Sequence, residues 1–159
     1  MVGSALSDPY LAYAAGMTGL AGPLHGLANQ ECLNFALNFQ SKYGENWTKD
    51  DIRDHVANTL KSGKVVPGFG HAVLRKTDPR FIVELDFADR YIKDDNLVDL
   101  VKANYEVIPV ELGKTGKISN PWPNVDCGSG ALLMHYGLSQ TDYYTVLFGV
   151  SRAFGVAPA

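Results

Sequence analysis

Apolar residues recur at helical spacing along most of this chain, and no stretch of useful length alternates as a β-strand does. One predicted helix starts near Pro23 and ends at Gly44. Its apolar face is formed by Leu24, Ala28, Cys32, Phe35 and Phe39. A later stripe is formed by Val98, Val101, Tyr105, Ile108 and Leu112. Pro109 lies within that stripe and should kink the helix or begin a new one. Residues 63–72 and 113–130 lack the helical spacing and are predicted to be irregular, so the fold class is all-α.

Two further helix starts carry sequence signals for an N-cap. Thr48 followed by Asp51 resembles a capping box, and it opens a predicted helix that Gly63 closes. Asp78 followed by Pro79 joins an N-cap to a first-turn proline. The inward stripe of that helix is formed by Phe81, Leu85, Ala88 and Ile92.

Charge is distributed unevenly along the chain. Of the 14 basic and 17 acidic residues, nearly all lie between residues 31 and 119. The exceptions are Asp8, Asp126, Asp142 and Arg152. Segments 4–17 and 141–156 are therefore almost uncharged, and 141–156 is apolar on all sides, as a buried helix is. We expect these ends to be covered by a larger protein or a partner, and the alternative is that they pack on each other.

Composition excludes several classes of protein. With 159 residues, 46% hydrophobic and 19% charged, the chain can bury a sizeable core and is neither disordered nor a coiled coil. No uncharged apolar run approaches the ~20 residues of a membrane span, and the N-terminal residues lack the pattern of a signal peptide. A net charge of −3 without a basic block argues against nucleic-acid binding. Cys32 and Cys127 are too few for a disulfide scaffold, which favours a reducing compartment, and the histidine spacing predicts no metal site.

Two histidines stand where an imidazole can act on a substrate. His25 lies at the predicted opening of the long helix, where the helix dipole disfavours imidazolium. A neutral ring there can donate one N–H to a developing oxyanion, and the alternative is a histidine bonded to the backbone. His71 follows Gly68-Phe69-Gly70, and glycines let the backbone approach a ligand closely. The alternative for His71 is an ordinary solvated basic loop.

Three isolated charges are candidates for proton or anion chemistry. Arg80 at a helix start is disfavoured by the dipole, and a bound carboxylate or phosphate would explain it. Asp126 lies in an apolar stretch, so its carboxylate must be paired, hydrogen-bonded or raised in pKa. It is a candidate general base, and capping the following helix is the alternative. Arg152, alone on a helix predicted to be buried, indicates an anionic ligand or a distant acid.

Five stretches, in order along the chain, resemble citrate synthase of the mitochondrial eukaryotic type. They are Ser4-Ala-Leu-Ser-Asp-Pro-Tyr10, Pro23-Leu-His-Gly-Leu-Ala-Asn-Gln-Glu31, Val65-Val-Pro-Gly-Phe-Gly-His-Ala-Val-Leu-Arg-Lys-Thr-Asp-Pro-Arg80, Asn120-Pro-Trp-Pro-Asn-Val-Asp126 and Tyr143-Tyr-Thr-Val-Leu-Phe-Gly-Val-Ser-Arg152. The resemblance extends to about Val156. It implies an all-α, two-domain homodimer that condenses acetyl-CoA with oxaloacetate.

The resemblance also implies a role for each candidate. Asp126 would remove the methyl proton of the acetyl thioester, His25 would donate a hydrogen bond to the thioester oxygen, and His71 would polarise the ketone of oxaloacetate. The carboxylates of oxaloacetate would be bound by His71, Arg80 and Arg152. Coenzyme A would be held by Val65, Val66, Pro67, Gly68, Phe69, Gly70, Arg75 and Asn124. No metal and no cofactor besides the substrates is implied. Gly128 departs from the pattern of many relatives, and we expect it to loosen the backbone beside the base.

The same resemblance divides the chain into three parts. Residues 27–137 would be the small domain, and residues 1–26 and 138–159 would be pieces of the large domain. The implied partners are acetyl-CoA, oxaloacetate and either further copies of the chain or the missing large-domain segments, without nucleic acid or membrane. The implied compartment is the mitochondrial matrix, although no transit peptide is visible. Two other interpretations stay open: a catalytically idle module that binds coenzyme A or assembles with a partner, and 2-methylcitrate synthase.

Overall fold

The computed structural model describes residues 1–22, 25–71, 73–116 and 118–156, and within these ranges it is all-helical. The α-helices are α1 Pro9–Leu20, α2 Ala28–Tyr43, α3 Lys49–Lys61, α4 Pro79–Tyr91, α5 Asn96–Lys114, α6 Asp126–His135 and α7 Tyr144–Val156. Two single 3₁₀ turns cover Gly3–Ala5 and Thr141–Tyr143. The prediction of an all-α fold is confirmed, and none of the described helices is long and apolar enough to cross a bilayer.

Helix α5 lies at the centre of the hydrophobic core. It packs against α2, α3 and α6, while α4 and α2 pack on the other faces of α6. The largest fully buried apolar side chains are Phe39, Ile52, Val56, Phe81, Leu100 and Ile108. Helix α5 continues through the buried Pro109, so the predicted start of a new helix at this proline is not observed. Burial of Ile108 and Leu112 on either side keeps this stretch helical despite the missing backbone donor.

The predicted N-caps of α3 and α4 are confirmed. The Thr48 side chain accepts a hydrogen bond from the Asp51 backbone N–H, and Asp51 accepts one from the Thr48 backbone N–H, which completes the capping box. The Asp78 carboxylate accepts from the Arg80 N–H at the start of α4. Asp8 caps α1 in the same Asp-Pro arrangement, so this helix starts at Pro9.

Helix α2 begins later than the sequence predicted. Pro23 and Leu24 lie outside the described residues, and residues 25–27 form a turn instead of the opening of the helix. Non-local contacts account for this turn. The Gly26 N–H donates to the carbonyl of Leu20 at 2.7 Å, and the Thr145 hydroxyl donates to the carbonyl of Gly26 at 2.8 Å. These bonds tie the backbone to α1 and α7, so it is not free to extend α2.

The prediction of irregular structure up to residue 130 was wrong, because α6 begins at Asp126. Two of its glycines are buried where helices meet. A Cβ on Gly128 would lie 3.3 Å from the Phe81 ring of α4, and one on Gly130 would lie 3.1 Å from the Leu33 Cβ of α2. Gly128 therefore does not loosen this backbone as expected. It permits the close approach of α4 and α6.

The two apolar ends pack on each other only in part. Tyr13 of α1 donates a hydrogen bond to the Gly149 carbonyl of α7. However, Tyr10 is 87% exposed and Phe154 is 78% exposed. The only buried residues of α7 are Tyr144, Thr145 and Gly149, so the prediction that residues 141–156 are buried on all sides was wrong for this chain. The three-part domain division stays a prediction.

Candidate active site

One cavity of about 500 Å³ gathers the five polar side chains proposed above for chemistry. The chain brings them from separate elements: the turn before α2, the loop after α3, the first turn of α4, the first residue of α6, and α7. The lining residues are His25, Ala28, Gly70, His71, Arg80, Asn124, Val125, Asp126, Phe148 and Arg152. The cavity therefore combines a carboxyl group, two imidazoles and two guanidinium groups.

Asp126 is the half-buried first residue of α6, and its carboxylate makes no hydrogen bond with the described residues. It does not cap its own helix. Asn124 does so, because its Oδ1 accepts from the Asp126 backbone N–H at 3.0 Å. Burial raises the pKa of the Asp126 carboxyl group, and the proximity of His25 and Arg80 opposes that rise. A half-buried carboxylate without a partner is a stronger base than one in water.

His71 is held by the backbone of its own loop. Its Nδ1 accepts hydrogen bonds from the N–H groups of Val73 and Leu74, both at 3.0 Å. Because Nδ1 is the acceptor, the ring proton of the neutral imidazole lies on Nε2. The loop thus fixes the tautomer and leaves Nε2–H as a donor.

His25 is exposed and lies in the turn before α2, two residues ahead of the N-cap residue Leu27. The argument from the helix dipole therefore does not apply to it as predicted. Its ring makes no hydrogen bond within the described part of the chain, so the alternative of a backbone-bonded imidazole is not observed either. It packs edge-on against Phe148 with the ring centroids 5.5 Å apart.

Arg80 is paired with the acid that caps its helix. The Arg80 Nε and Nη2 donate to the two oxygens of Asp78 at 3.0 and 2.7 Å. These bonds lower the pKa of Asp78, which is 1% exposed. Asp78 therefore explains why an arginine is tolerated at this helix start without any bound anion. The guanidinium still has donors that the pair does not use, and its side chain is 56% exposed.

Arg152 is exposed on α7, so the prediction that it is buried was wrong. Its guanidinium carbon lies 5.0 Å from the centre of the Phe148 ring, and it forms no ion pair with another described residue. Phe148, which sequence reasoning missed, contacts both His25 and Arg152. Its position four residues before Arg152 on one helix face was the available signal.

The loop predicted to hold coenzyme A lines a second cavity of about 600 Å³. Its lining residues are Ala28, Glu31, Gly63, Lys64, Val65, Val66, Pro67, Gly68 and Phe69. Gly68 has φ +78°, and a Cβ there would lie 2.5 Å from the Cys32 Sγ, so only glycine fits. Gly70 and Asn124 line the first cavity instead, and Arg75, whose guanidinium donates to the carbonyls of His71 and Leu74, lines neither.

Residues 120–124 hold this loop in place. The Asn124 N–H donates to the Gly68 carbonyl, and the Asn124 Nδ2 donates to the Gly70 carbonyl, both at 2.9 Å. The Gly70 N–H donates in turn to the Trp122 carbonyl. Within the described ranges there is no cluster of three or more side chains that could ligate a metal.

Comparisons with known proteins agree with this fold. Residues 1–158 match the profile of the citrate synthase C-terminal domain. The chain is 58% identical over 156 residues to a probable mitochondrial citrate synthase of Glossina morsitans morsitans, covering 98% of this chain and 34% of that protein. It is also 58% identical over 158 residues to a mitochondrial 2-methylcitrate synthase of Yarrowia lipolytica, covering 99% and 34%.

A solved structure gives the same result for the fold. The citrate synthase of Thermoplasma acidophilum, in a ternary complex with carboxymethyl coenzyme A and oxaloacetate, superposes with a TM-score of 0.77 at 25% identity. The match covers 97% of this chain and 39% of that chain. This chain therefore belongs to the citrate synthase family. It spans about a third of the length of the curated relatives described above.

Proposed function

We propose that the protein containing this chain condenses acetyl-CoA with oxaloacetate and releases citrate and coenzyme A. The observation that carries the proposal is the single cavity lined by Asp126, both histidines and both arginines. A carboxylate base, hydrogen-bond donors and two guanidinium groups are the set that enolising a thioester beside a dicarboxylate requires.

Asp126 is the proposed general base. It removes a proton from the methyl group of the acetyl thioester, and burial of its carboxyl group raises its pKa in the direction that favours this step. The thioester oxygen gains negative charge as the proton leaves, and His25 donates a hydrogen bond to it. One such donor typically contributes about 2.7–4 kcal/mol to the transition state.

His71 and the two arginines are proposed to bind oxaloacetate. The Nε2–H of His71 donates to the ketone oxygen, while Arg80 and Arg152 bind the carboxylates by charge-assisted hydrogen bonds. The methyl carbon then bonds to the ketone carbon, and the ketone oxygen takes up a proton. Water hydrolyses the thioester to citrate and the free thiol of coenzyme A. Holding both substrates together lowers the activation barrier by roughly 7–11 kcal/mol. The reaction balances without a metal or redox cofactor.

The loop at 65–70 is proposed to bind coenzyme A, together with Arg75 and Asn124. The cavity under this loop and the cavity that holds Asp126 share Ala28 in their linings, so the two are neighbours. A thioester extending from one to the other would bring its methyl group to the base.

Segments outside this chain are proposed to complete the site. Relatives of this chain are named as mitochondrial proteins, which supports the mitochondrial matrix as the compartment. The exposed apolar residues of α1 and α7 support covering by further large-domain segments or by a second copy.

Two other functions keep a specific observation in their favour. The Yarrowia lipolytica relative is a 2-methylcitrate synthase at 58% identity, which supports propionyl-CoA as an alternative substrate. The cavity under the 65–70 loop and the exposed apolar residues of α1 and α7 support a non-catalytic module that binds coenzyme A or assembles with a partner.

Release of free thiol on mixing the protein that contains this chain with acetyl-CoA and oxaloacetate tests the proposal. We expect turnover in that protein and its loss in Asp126→Asn, which keeps the shape of the side chain. Asp86→Asn removes the same charge from an exposed position on α4 and should leave turnover unchanged.

Each other outcome selects an alternative. Equal turnover in both variants would contradict the role of Asp126. Faster release from propionyl-CoA would favour 2-methylcitrate synthase. No release, with coenzyme A binding detected by calorimetry, would favour the module.

A further inference from the structure

Glu84 is a half-buried acid that the proposed mechanism does not use. It lies on α4, four residues after Arg80 and thus on the same face of the helix. Its Oε2 is fully buried and has no hydrogen-bond partner among the described residues. Buried polar atoms are nearly always hydrogen-bonded, so this exception requires an explanation.

The surroundings of the Glu84 Oε2 leave no room for a counter-ion. A Cβ on Gly128 would lie 2.6 Å from the Glu84 Oε2, so the carboxyl group packs directly against the backbone of α6, two residues after Asp126. The other neighbours are apolar side chains of α4, α5 and α6. They are Leu85, Ala88, Val98, Val101, Ala131 and Leu132. The space they enclose with Glu84 is about 10 Å³, at the lower limit for one water molecule.

The charges that face Glu84 do not favour its ionised form. Helix α6 presents the Asp126 carboxyl group and the buried Cys127 thiol. The start of α4 presents Asp78 and Arg80, which are already paired with each other. Burial, followed by the charges of Asp126 and Asp78, raises the pKa of Glu84 from 4.5 to about 8.

We propose that Glu84 is a positioning residue for Asp126: its neutral carboxyl group lets α4 and α6 close on each other at Gly128, and its ionisation separates them. An ionised carboxylate in this site must gain water, because no donor contacts its Oε2. Water reaches the Oε2 in its packed position only if the backbone of α6 moves away, and Asp126 is the first residue of that helix. The catalytic meaning of this movement rests on the proposed function, but the movement itself does not.

Carboxyl and amide NMR of the full chain tests the proposal without measuring turnover. The Glu84 and Asp126 carboxyl carbons and the Cys127 and Gly128 amides are followed while the pH is raised. We expect the amides to shift with the same midpoint as the Glu84 carboxyl group, near pH 8. Glu84→Gln, which is neutral and close to isosteric, should abolish this amide transition. Asp86→Asn, on the exposed face of α4, should leave it in place.

A second variant tests the coupling from the other side. Asp126→Asn removes the neighbouring negative charge and should lower the midpoint of Glu84 by about one pH unit. Persistence of the amide transition in Glu84→Gln would overturn the proposal, as would a Glu84 midpoint near 4.5 or one that Asp126→Asn leaves unchanged. Failure of the proposed function would appear separately, as absence of thiol release in a chain that still gives these titrations.

Discussion

At the scale of single residues, the two histidines of the cavity differ in how they are held. The His71 ring accepts two backbone N–H bonds, which fix its orientation and its tautomer. The His25 ring has only an edge contact with Phe148. His71 is therefore preorganised as a donor through Nε2, whereas His25 is free to adjust to a ligand.

Substitutions of His71 should separate its structural role from its chemical role. Asparagine can offer an acceptor near the position of Nδ1, so we expect His71→Asn to keep the loop better than His71→Ala. The alanine variant should lose about 1 kcal/mol of unfolding free energy, since two backbone donors lose their protein partner. Urea unfolding measures this difference, while calorimetry with oxaloacetate should show weakened binding in both variants. Equal stability of the two variants would contradict the structural role.

Glu84 should make the stability of the fold depend on pH. A carboxyl group with a raised pKa in the folded state contributes stability that is fully present below its unfolded pKa and is lost as the pH rises through its folded pKa. For Glu84 this window runs from about pH 4.5 to about pH 8. We expect the unfolding free energy of Glu84→Gln, relative to the native chain, to increase across this window and then level off. Urea unfolding at several pH values measures this difference in unfolding free energy. A difference that does not change with pH would contradict the expectation.

At the scale of elements, glycine determines how closely α6 approaches its neighbours. Gly128 faces Phe81 and Glu84 of α4, and Gly130 faces Asn29 and Leu33 of α2. Side chains at these positions would push α6 outward and shift Asp126 with it. The sequence predicted an irregular stretch around these glycines, but helix packing requires them.

A matched pair of alanine substitutions tests this packing. Gly128→Ala should lower the unfolding free energy by about 1–3 kcal/mol, because the new Cβ would meet buried atoms of α4. The new Cβ of Gly113→Ala on α5 has nothing within 4 Å. This substitution should raise the unfolding free energy by about 0.5–1 kcal/mol, because alanine has the higher helix propensity. Thermal or urea unfolding measures both. If both substitutions changed the unfolding free energy in the same direction, close packing at Gly128 would not be needed for stability.

Local signals predicted the elements whose ends are determined locally. The caps at Thr48 and Asp78 depend on side chains within three residues, and both helices begin where those signals stand. The start of α2 depends instead on bonds from Gly26 to Leu20 and Thr145, which no local pattern reveals. The composition of the candidate site followed from the family motifs. Two features could be seen only in the packed structure. They are the pairing of Arg80 with Asp78 and the buried Oε2 of Glu84.

At the scale of the whole molecule, α1 and α7 leave apolar surface exposed. Tyr10, Leu11 and Phe154 are 87%, 61% and 78% exposed, although they lie on helices that touch each other. An apolar face of this kind is typical of a surface that other protein covers.

The isolated chain should therefore self-associate. Sedimentation velocity should detect species heavier than the 17.3 kDa monomer. Combining Tyr10→Ser with Phe154→Ser should shift the distribution towards the monomer, while Val83→Ser, at an exposed position on α4, should not. A native chain that sediments only as a monomer would contradict this expectation.

Asn124 links the loop at 65–70 to the start of α6. Its amide nitrogen holds the Gly70 carbonyl, and its amide oxygen holds the Asp126 N–H. One rigid planar group thus sets the spacing between the loop and the first residue of α6. When a ligand binds under the loop and moves it, we expect the first residue of α6 to move with it. Binding at the loop would then change the position of the Asp126 carboxyl group.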